Sequence, residues 1–128
     1  MTTEPIIAVA NVEESTRWYS DLIGCQGAHG GSSFEILTDA EGSQLLSLHL
    51  WGEHDHPTLR EPIEPIGNGL ILYFVVDDFD DAWERGVAMG CSVEREPFRN
   101  ENSGRREFSL RDRDGYYVSV TENERVWS

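Results

Sequence analysis

The chain has few basic residues and no long apolar run. It carries 10 lysines and arginines against 24 aspartates and glutamates, which gives a net charge of −14. So acidic a protein does not neutralise phosphates, which excludes nucleic acids and anionic membrane surfaces as expected partners. No apolar stretch approaches the ~20 residues that span a bilayer. The start, MTTEPIIAVA, lacks the basic residues of a signal peptide, so a cytoplasmic location is expected.

Cysteine is also scarce, and neither cysteine belongs to a metal-binding motif. Cys25 and Cys91 each follow a glycine, and no other ligand stands near them at metal-ligand spacing. In a reducing compartment such cysteines are usually small, buried hydrophobic side chains. We therefore expect two buried thiols rather than a zinc site.

What the sequence does contain is an internal repeat. IIAVANVEESTRWYSDLIGC, 6–25, returns as LYFVVDDFDDAWERGVAMGC, 72–91, and LTDAEGSQLLSL, 37–48, returns as LRDRDGYYVSV, 110–120. Both pairs are offset by about half of the chain, which indicates a duplicated module. We expect one domain over residues 1–128. It would consist of a module at 1–52 and a module at 67–128, joined by a proline-bearing connector at 53–66.

Each copy is predicted to be a βαβββ module. The β-branched runs at 6–9 and 70–76 predict strands that are buried on both faces. Asn11 and Asp78 are placed to accept hydrogen bonds from the first turn of the helix that follows. The prolines of the connector predict no regular structure there. The polar segment 95–104 predicts a loop.

The repeated segments resemble motifs of the vicinal oxygen chelate superfamily, which includes glyoxalase I, extradiol dioxygenases, and fosfomycin- and bleomycin-resistance proteins. NVEESTRWYSDLIG is similar to its Asp-Val-x-x-Ser-x-x-(Phe/Trp)-Tyr-x-x-x-Leu-Gly motif, and FVVDDFDDAWERGVAMG to the second copy. REFSLRDRDGYYVSV is similar to its Asp-Pro-Asp-Gly hairpin, with Arg113 where proline is usual. The resemblance covers essentially the whole chain. It implies an α+β fold in which two βαβββ modules form a curled mixed sheet, with helices on the convex face and the ligand on the concave face.

The resemblance also implies four metal-ligand positions, and this chain fills them poorly. Catalytic members use His, Glu or Gln there, on the first and last strands of each module. The matching residues here are Glu4, Leu46, Ile71 and Ser119. One carboxylate beside isoleucine and leucine does not hold a divalent ion well. The chain is therefore closest to the metal-free, bleomycin-resistance-like branch, and no cofactor is expected.

This count assumes that the first hairpin has no bulge. A slip of one residue turns every side chain of a strand to the other face. In LLSLHLWG the apolar positions suit a helix-packed face better, which leaves Ser47, His49 and Trp51 to face the ligand. Under that register a metal-dependent lyase or dioxygenase is the alternative, with Glu4, His49 and Glu122 as the first ligands to suspect. The connector's His54 and His56 are interpreted as solvated.

An aromatic pocket with few polar anchors is predicted from Trp51, Tyr73 and Tyr117, together with Phe98 or Arg99 of the predicted loop. Pockets of this kind hold planar or cationic small molecules by stacking and cation–π contact. That one or two of the rings simply fill a core remains an alternative.

We expect a non-catalytic small-molecule binding protein that forms a homodimer and has no catalytic residue. Trp18 and Trp127 are not placed to face the ligand. The expected ligand-binding residues are His49, Trp51, Tyr73, Phe98, Arg99, Tyr117 and Ser119.

Overall fold

The chain contains two βαβββ modules, as the repeat predicts. The computed structural model describes residues 1–28 and 30–123. The chain divides into two compact units, Met1–Glu64 and Pro65–Ser128, and the boundary between them lies inside the predicted connector. The first module comprises β1 (Ile6–Val9), α1 (Val12–Ile23), β2 (Gln26–Gly27), β3 (Phe34–Thr38) and β4 (Gln44–Leu50). The second comprises β5 (Ile71–Val76), α2 (Phe79–Ala88), β6 (Ser92–Arg99), β7 (Arg106–Arg111) and β8 (Tyr117–Glu122).

Each module has its own four-stranded mixed sheet, and the two sheets share one topology. Their strand orders are β1-β4-β3-β2 and β5-β8-β7-β6. The first and last strands of each module are parallel neighbours, and all other neighbours are antiparallel. The α+β fold of two βαβββ modules is therefore confirmed. No helix in the described ranges is long and apolar enough to cross a membrane.

Helix α1 begins and ends where the sequence predicts. The side chain of Asn11 accepts a hydrogen bond from the backbone N–H of Glu14 at 2.9 Å. Gly24 ends the helix with a φ of 76°, a left-handed conformation that glycine adopts without a steric penalty. The buried face of α1 comprises Val12, Ser15, Tyr19 and Leu22, which recur at helical spacing.

Helix α2 lacks the side-chain cap that the sequence predicts. The Asp78 side chain makes no capping hydrogen bond, and its Oδ2 lies 2.9 Å from Nη2 of Arg85 instead. A charged hydrogen bond to arginine competes with the backbone N–H groups for this carboxylate, which explains the correction. The helix still packs on its sheet, because the ring of Phe79 lies 5.4 Å from the ring of Phe108 on β7.

Strand β5 is not buried on both faces. Leu72 and Phe74 are buried, but Ile71, Tyr73 and Val75, which alternate with them, are 50%, 52% and 53% exposed. Successive side chains of a strand point to opposite faces, so one face of this strand packs on the core and the other is open. The prediction of a doubly buried strand is therefore wrong.

Two segments predicted as irregular contain regular structure. Residues 95–99 belong to β6, which pairs with β7 through two register shifts, so only the rest of 95–104 forms a turn. The exposed, polar side chains of β6 hide the period of a strand from the sequence. The connector contains a short 3₁₀ turn, Pro57–Leu59, in which the proline occupies a first position that needs no N–H.

Candidate functional site

An open groove lies on one face of the second module's sheet. Its volume is about 520 Å³, within the range of ~300–1,000 Å³ that is typical of small-molecule sites. The groove residues of β8 alternate with the fully buried Val118 and Val120, so the groove occupies the face opposite the core. Its side-chain lining includes Ile71, Tyr73, Arg95, Phe98, Asn100, Glu107, Arg111, Tyr117 and Ser119, and the turn Gly67-Asn68-Gly69-Leu70 forms one rim.

Glu107 is the buried polar centre of this groove. The residue is only 5% exposed, because it points from β7 into the face that it shares with Thr121 of β8. Its Oε2 accepts a hydrogen bond from the Tyr73 hydroxyl at 3.2 Å, and its Oε1 accepts one from Nδ2 of Asn100 at 2.9 Å. Both carboxylate oxygens therefore hold neighbouring side chains in place.

Burial and the contact with Glu107 both act on the Tyr73 phenol. Burial raises the pKa of this phenol, and the charge of Glu107 and the hydrogen bond to it raise that pKa further, while a hydrogen bond with Ser119 lowers it. The half-exposed tyrosine thus donates its hydroxyl hydrogen to a fixed acceptor. Ser119 is also hydrogen-bonded to Ser109, with 2.8 Å between the hydroxyl oxygens.

Two arginines lie over aromatic rings in the groove. The guanidinium carbon of Arg95 is 3.4 Å from the ring centroid of Phe98, and that of Arg111 is 4.9 Å from the centroid of Tyr117. Arg111 also binds Glu94 through Nε at 3.0 Å and the carbonyl of Gly115 through Nη1 at 3.0 Å. The groove thus combines flat aromatic and guanidinium surfaces, on which a planar ligand can stack.

A second hollow, of about 600 Å³, lies at the N-terminus of α2 and is lined mainly by carboxylates. Glu122 lines it and accepts hydrogen bonds from the backbone N–H of Arg106 at 2.8 Å and from Nε of Arg106 at 3.1 Å. Burial raises the pKa of Glu122, but these hydrogen bonds and the charges of Arg106 and Arg99 outweigh it and lower that pKa. Asp80 also pairs with Arg106, at 3.1 Å. The carboxylates that pair with Arg106 therefore serve an ion-pair network.

In the first module, His49 is hydrogen-bonded through both ring nitrogens. It is 2% exposed, with Nδ1 2.8 Å from the carbonyl of Leu50 and Nε2 3.1 Å from Nδ1 of His54. Because a carbonyl only accepts, Nδ1 of His49 donates to Leu50, and the other ring nitrogen shares a hydrogen bond with His54. The ring of His56 lies 4.9 Å from the ring of His49. The connector histidines are exposed, in agreement with their interpretation as solvated, and they also contact His49.

The residues suspected as metal ligands do not fit a metal centre. Across residues 1–28 and 30–123, no group of three or more His, Cys, Asp or Glu side chains is arranged to hold a metal ion. Glu4 lies exposed in the coil before β1. Both nitrogens of His49 and both oxygens of Glu122 already bind other groups. The absence of a cofactor itself stays a prediction.

The structure brings together four of the seven residues expected to bind ligand. Tyr73, Phe98, Tyr117 and Ser119 line the groove. Arg99 does not line it, because its Nη1 donates to the carbonyl of Gly104 at 2.9 Å and lies 3.6 Å from Glu122. His49 and Trp51 belong to the first module, where Trp51 is half-buried and follows β4. Trp127 lies outside the described residues.

The sequence reasoning missed the charged residues of the groove. Glu107 and Arg111 share one set of alternate positions in REFSLR with Ser109, and the buried Phe108 and Leu110 occupy the other set. That alternation could have assigned them to the open face. Arg95 gave no such signal, because it lies in a segment that was predicted to be a loop.

Comparisons with known proteins agree with this fold. The profile of the Glyoxalase/Bleomycin resistance protein/Dioxygenase superfamily matches residues 3–120. No curated protein gives a match. An integron cassette protein from the mobile metagenome of V. cholerae has 19% identity and a TM-score of 0.73, over 97% of this chain and 95% of that chain.

Two further solved structures have similar values. A lactoylglutathione lyase from Agrobacterium tumefaciens has 21% identity and a TM-score of 0.69, over 96% of this chain and 93% of that chain. A glyoxalase/bleomycin resistance protein/dioxygenase family enzyme from Burkholderia phytofirmans has 16% identity and a TM-score of 0.73, over 93% of this chain and 95% of that chain. At these identities the structures show a shared fold alone. With the family profile matching nearly the whole chain, the chain belongs to the glyoxalase/bleomycin resistance protein/dioxygenase superfamily.

Proposed function

We propose that this protein binds a small aromatic or cationic molecule, a drug or a metabolite, without catalysing its conversion. It would resemble the metal-free, bleomycin-resistance-like branch of the superfamily. The observation that carries the proposal is the groove of the second module, in which Tyr73, Phe98 and Tyr117 surround one buried carboxylate. Flat aromatic walls with few polar anchors are typical of sites that bind planar ligands.

The state of Glu107 favours binding over catalysis. A general base needs a lone pair that can reach a substrate proton. Glu107 is only 5% exposed, and both of its oxygens already accept hydrogen bonds, from Tyr73 and from Asn100, which leaves little of the carboxylate open to a substrate proton. The carboxylate thereby fixes the Tyr73 ring and the Asn100 amide before a ligand arrives, so little side-chain entropy is lost on binding.

Residues of the first module form a second part of the proposal. We expect Trp51 and His49 to contact ligand in the first module, and Trp51 to report binding through its fluorescence. Loss of an aromatic anchor weakens binding by about 1–3 kcal/mol. Trp51→Ala should therefore weaken binding, whereas Trp18→Ala should not, because Trp18 lies half-buried on α1 against the ring of Tyr19.

The test begins with a thermal-shift screen of antibiotics and aromatic metabolites. A hit is then titrated by calorimetry against the native protein, Tyr117→Ala and Trp18→Ala. We expect Tyr117→Ala to weaken binding by roughly 1–3 kcal/mol and Trp18→Ala to leave it unchanged. Equal affinity of all three proteins would place the site outside the groove. Mass spectrometry of the incubated hit should show no new product, and a product would favour the lyase or dioxygenase alternative.

We also propose that the protein is a cytoplasmic homodimer. Each four-stranded sheet ends in edge strands, and such edges are usually covered by a partner. A two-fold arrangement is the commonest solution. Light scattering at tens of micromolar protein should give twice the mass of the chain, and a monomer would contradict the proposal.

A further inference from the structure

We propose that the groove selects aromatic compounds that carry an anionic group, and that Arg95 binds that group. The inference rests on the proposed function, because it assigns the charge of the ligand that the same groove would hold. It differs from what the net charge of −14 suggests, since an acidic protein favours cations at long range. The contacts inside the groove decide the preference of a ligand that is already bound.

The negative charge of the groove is not available to a ligand. Glu107 is the lining's carboxylate, it is 5% exposed, and its two oxygens accept from Tyr73 and Asn100. A cation could reach this carboxylate only after the side chains that bury it had moved. The groove therefore offers a cation little beyond the faces of its rings.

Arg111 has two of its five N–H donors committed to other groups. Its Nε binds Glu94 and its Nη1 binds the carbonyl of Gly115, each at 3.0 Å. The guanidinium also lies over the ring of Tyr117. Arg111 thus supplies positive charge to the groove, while its geometry is fixed by other partners.

Arg95 is different, because its donors are not committed within the described part of the chain. There its guanidinium stacks on Phe98 at 3.4 Å and has neither an ion pair nor a hydrogen bond. The side chain is exposed at the groove. A planar guanidinium binds carboxylate, phosphonate or sulfonate groups through two parallel N–H groups.

The irregular pairing of β6 is what places Arg95 in the groove. In a regular strand, residues three apart point to opposite faces. Between Arg95 and Phe98 the register with β7 shifts, and it shifts again between Val93 and Arg95. Arg95 and Phe98 consequently line the same groove, with Arg95 paired across from Ser109. The cation and its ring platform thus form one preassembled surface.

The test compares three probes that share one ring system: 2-naphthoate, 2-naphthol and 2-naphthylmethylammonium. Each is titrated by calorimetry at physiological salt, where charges more than about 8 Å apart are largely screened. We expect the native protein to bind 2-naphthoate about tenfold more tightly than 2-naphthol, which is ~1.4 kcal/mol, and the ammonium compound least. Arg95→Gln should abolish the preference for naphthoate, and Arg95→Lys should keep part of it.

Arg17→Gln is the matched control. Arg17 is exposed on α1 and does not line the groove, and its replacement changes the net charge by the same amount. The control should keep the full naphthoate preference. Equal binding of naphthoate and naphthol by the native protein, or a preference for the ammonium compound, would overturn the inference and leave the aromatic site standing. If none of the three probes binds, both the inference and the proposed function fail. The three probes are compared on the native protein, so the inference can be refuted even if Arg95→Gln does not fold.

Discussion

Glu107→Gln is the most informative substitution in this protein, because it removes the charge at the centre of the groove and keeps the side-chain shape. Hydrogen bonds to charged groups contribute about 1.5–3 kcal/mol each, and neutral ones about 0.5–1.5 kcal/mol. Glutamine also has only one acceptor oxygen, so its NH₂ group would meet Tyr73 or Asn100, which both donate to Glu107. Glutamine carries no charge, so the cost of burying the Glu107 carboxylate disappears, and this gain offsets part of the loss in hydrogen bonding. We expect the free energy of unfolding to fall by about 1–2 kcal/mol.

Tyr73→Phe removes one donor from the same contact. The bond is long, at 3.2 Å between oxygens, and the tyrosine is 52% exposed. We therefore expect the free energy of unfolding to fall by only about 0.5–1 kcal/mol. In the double variant the two losses should overlap, because each single change already breaks the shared bond. The interaction energy should be about 0.5–1 kcal/mol.

Urea unfolding of the four proteins, followed by circular dichroism, measures this cycle. Glu96→Gln is the matched control, since Glu96 is exposed on β6, and its effect should stay within about 0.5 kcal/mol. An interaction energy below about 0.3 kcal/mol would refute the assigned role of Glu107. Absorbance titration supplies a second readout, because loss of the Glu107 charge should lower the pKa of Tyr73 toward its ordinary value. The stability that the Tyr73 phenol contributes is present below that ordinary value and is lost as pH rises through the higher folded value.

Three further outcomes follow from the same structure. Mn²⁺, Ni²⁺, Zn²⁺ or Fe²⁺ should leave the melting temperature unchanged, whereas tight binding would add about 2.7 kcal/mol at a hundredfold excess over Kd; a clear rise that is lost in Glu4→Ala or His49→Ala would restore the metalloenzyme alternative. Burial raises the pKa of Cys25 to about 11, so at pH 8 Cys25 should react with a thiol reagent far more slowly than the half-buried Cys91, and equal rates would contradict its burial. The pKa of Glu122 is lower in the folded state than its ordinary value, so its ionised carboxylate stabilises the fold above that ordinary value. This stabilisation is lost as pH falls through the lower folded-state pKa. The difference in stability between the native protein and Glu122→Gln should therefore shrink as pH falls, and a constant difference would argue against the ion pair.

The fold could be predicted from the sequence because its signals are local. Asn11 and Gly24 delimit α1 through contacts within a few residues. The repeat then transfers the same interpretation to the second module. Asp78 shows the limit of that transfer, since it occupies the position equivalent to Asn11 but binds Arg85. A repeat preserves the position of an element more faithfully than the contacts that end it.

The register of β4 was predictable only as one of two alternatives. The structure contains the irregularity that the second alternative requires, between Leu37 and Thr38 on β3. Leu46 pairs with Leu37 in the core, and His49 lies beside Ala8 and Phe34 on the other face. A strict count along the chain could not find this register, because a bulge changes the face without changing the sequence pattern on either side.

The contact of the connector with His49 could not be predicted. It depends on His54 and Asp55, which adopt positive φ values of 60° and 52°. Residues other than glycine seldom occupy this region, and no local pattern marks these two. The left-handed pair accompanies the hydrogen bond between His54 and His49. The part of β6 at 95–99 escaped prediction for a related reason, since its pairing with β7 is what makes this polar sequence extended.

The two modules share a backbone plan but differ on their open faces, and this difference favours the second module as the site. At equivalent positions of the parallel strand pair, the first module has Ala8 beside His49, at 1% and 2% exposure. The second has Tyr73 beside Ser119, and Tyr73 is 52% exposed. In both modules the buried residues must recur at alternate positions of each strand so that the sheet can pack on its helix. The two modules therefore share the same fold. The open faces are free of that constraint, and in the second module Tyr73 and the hydrogen-bonded Glu107 line a groove.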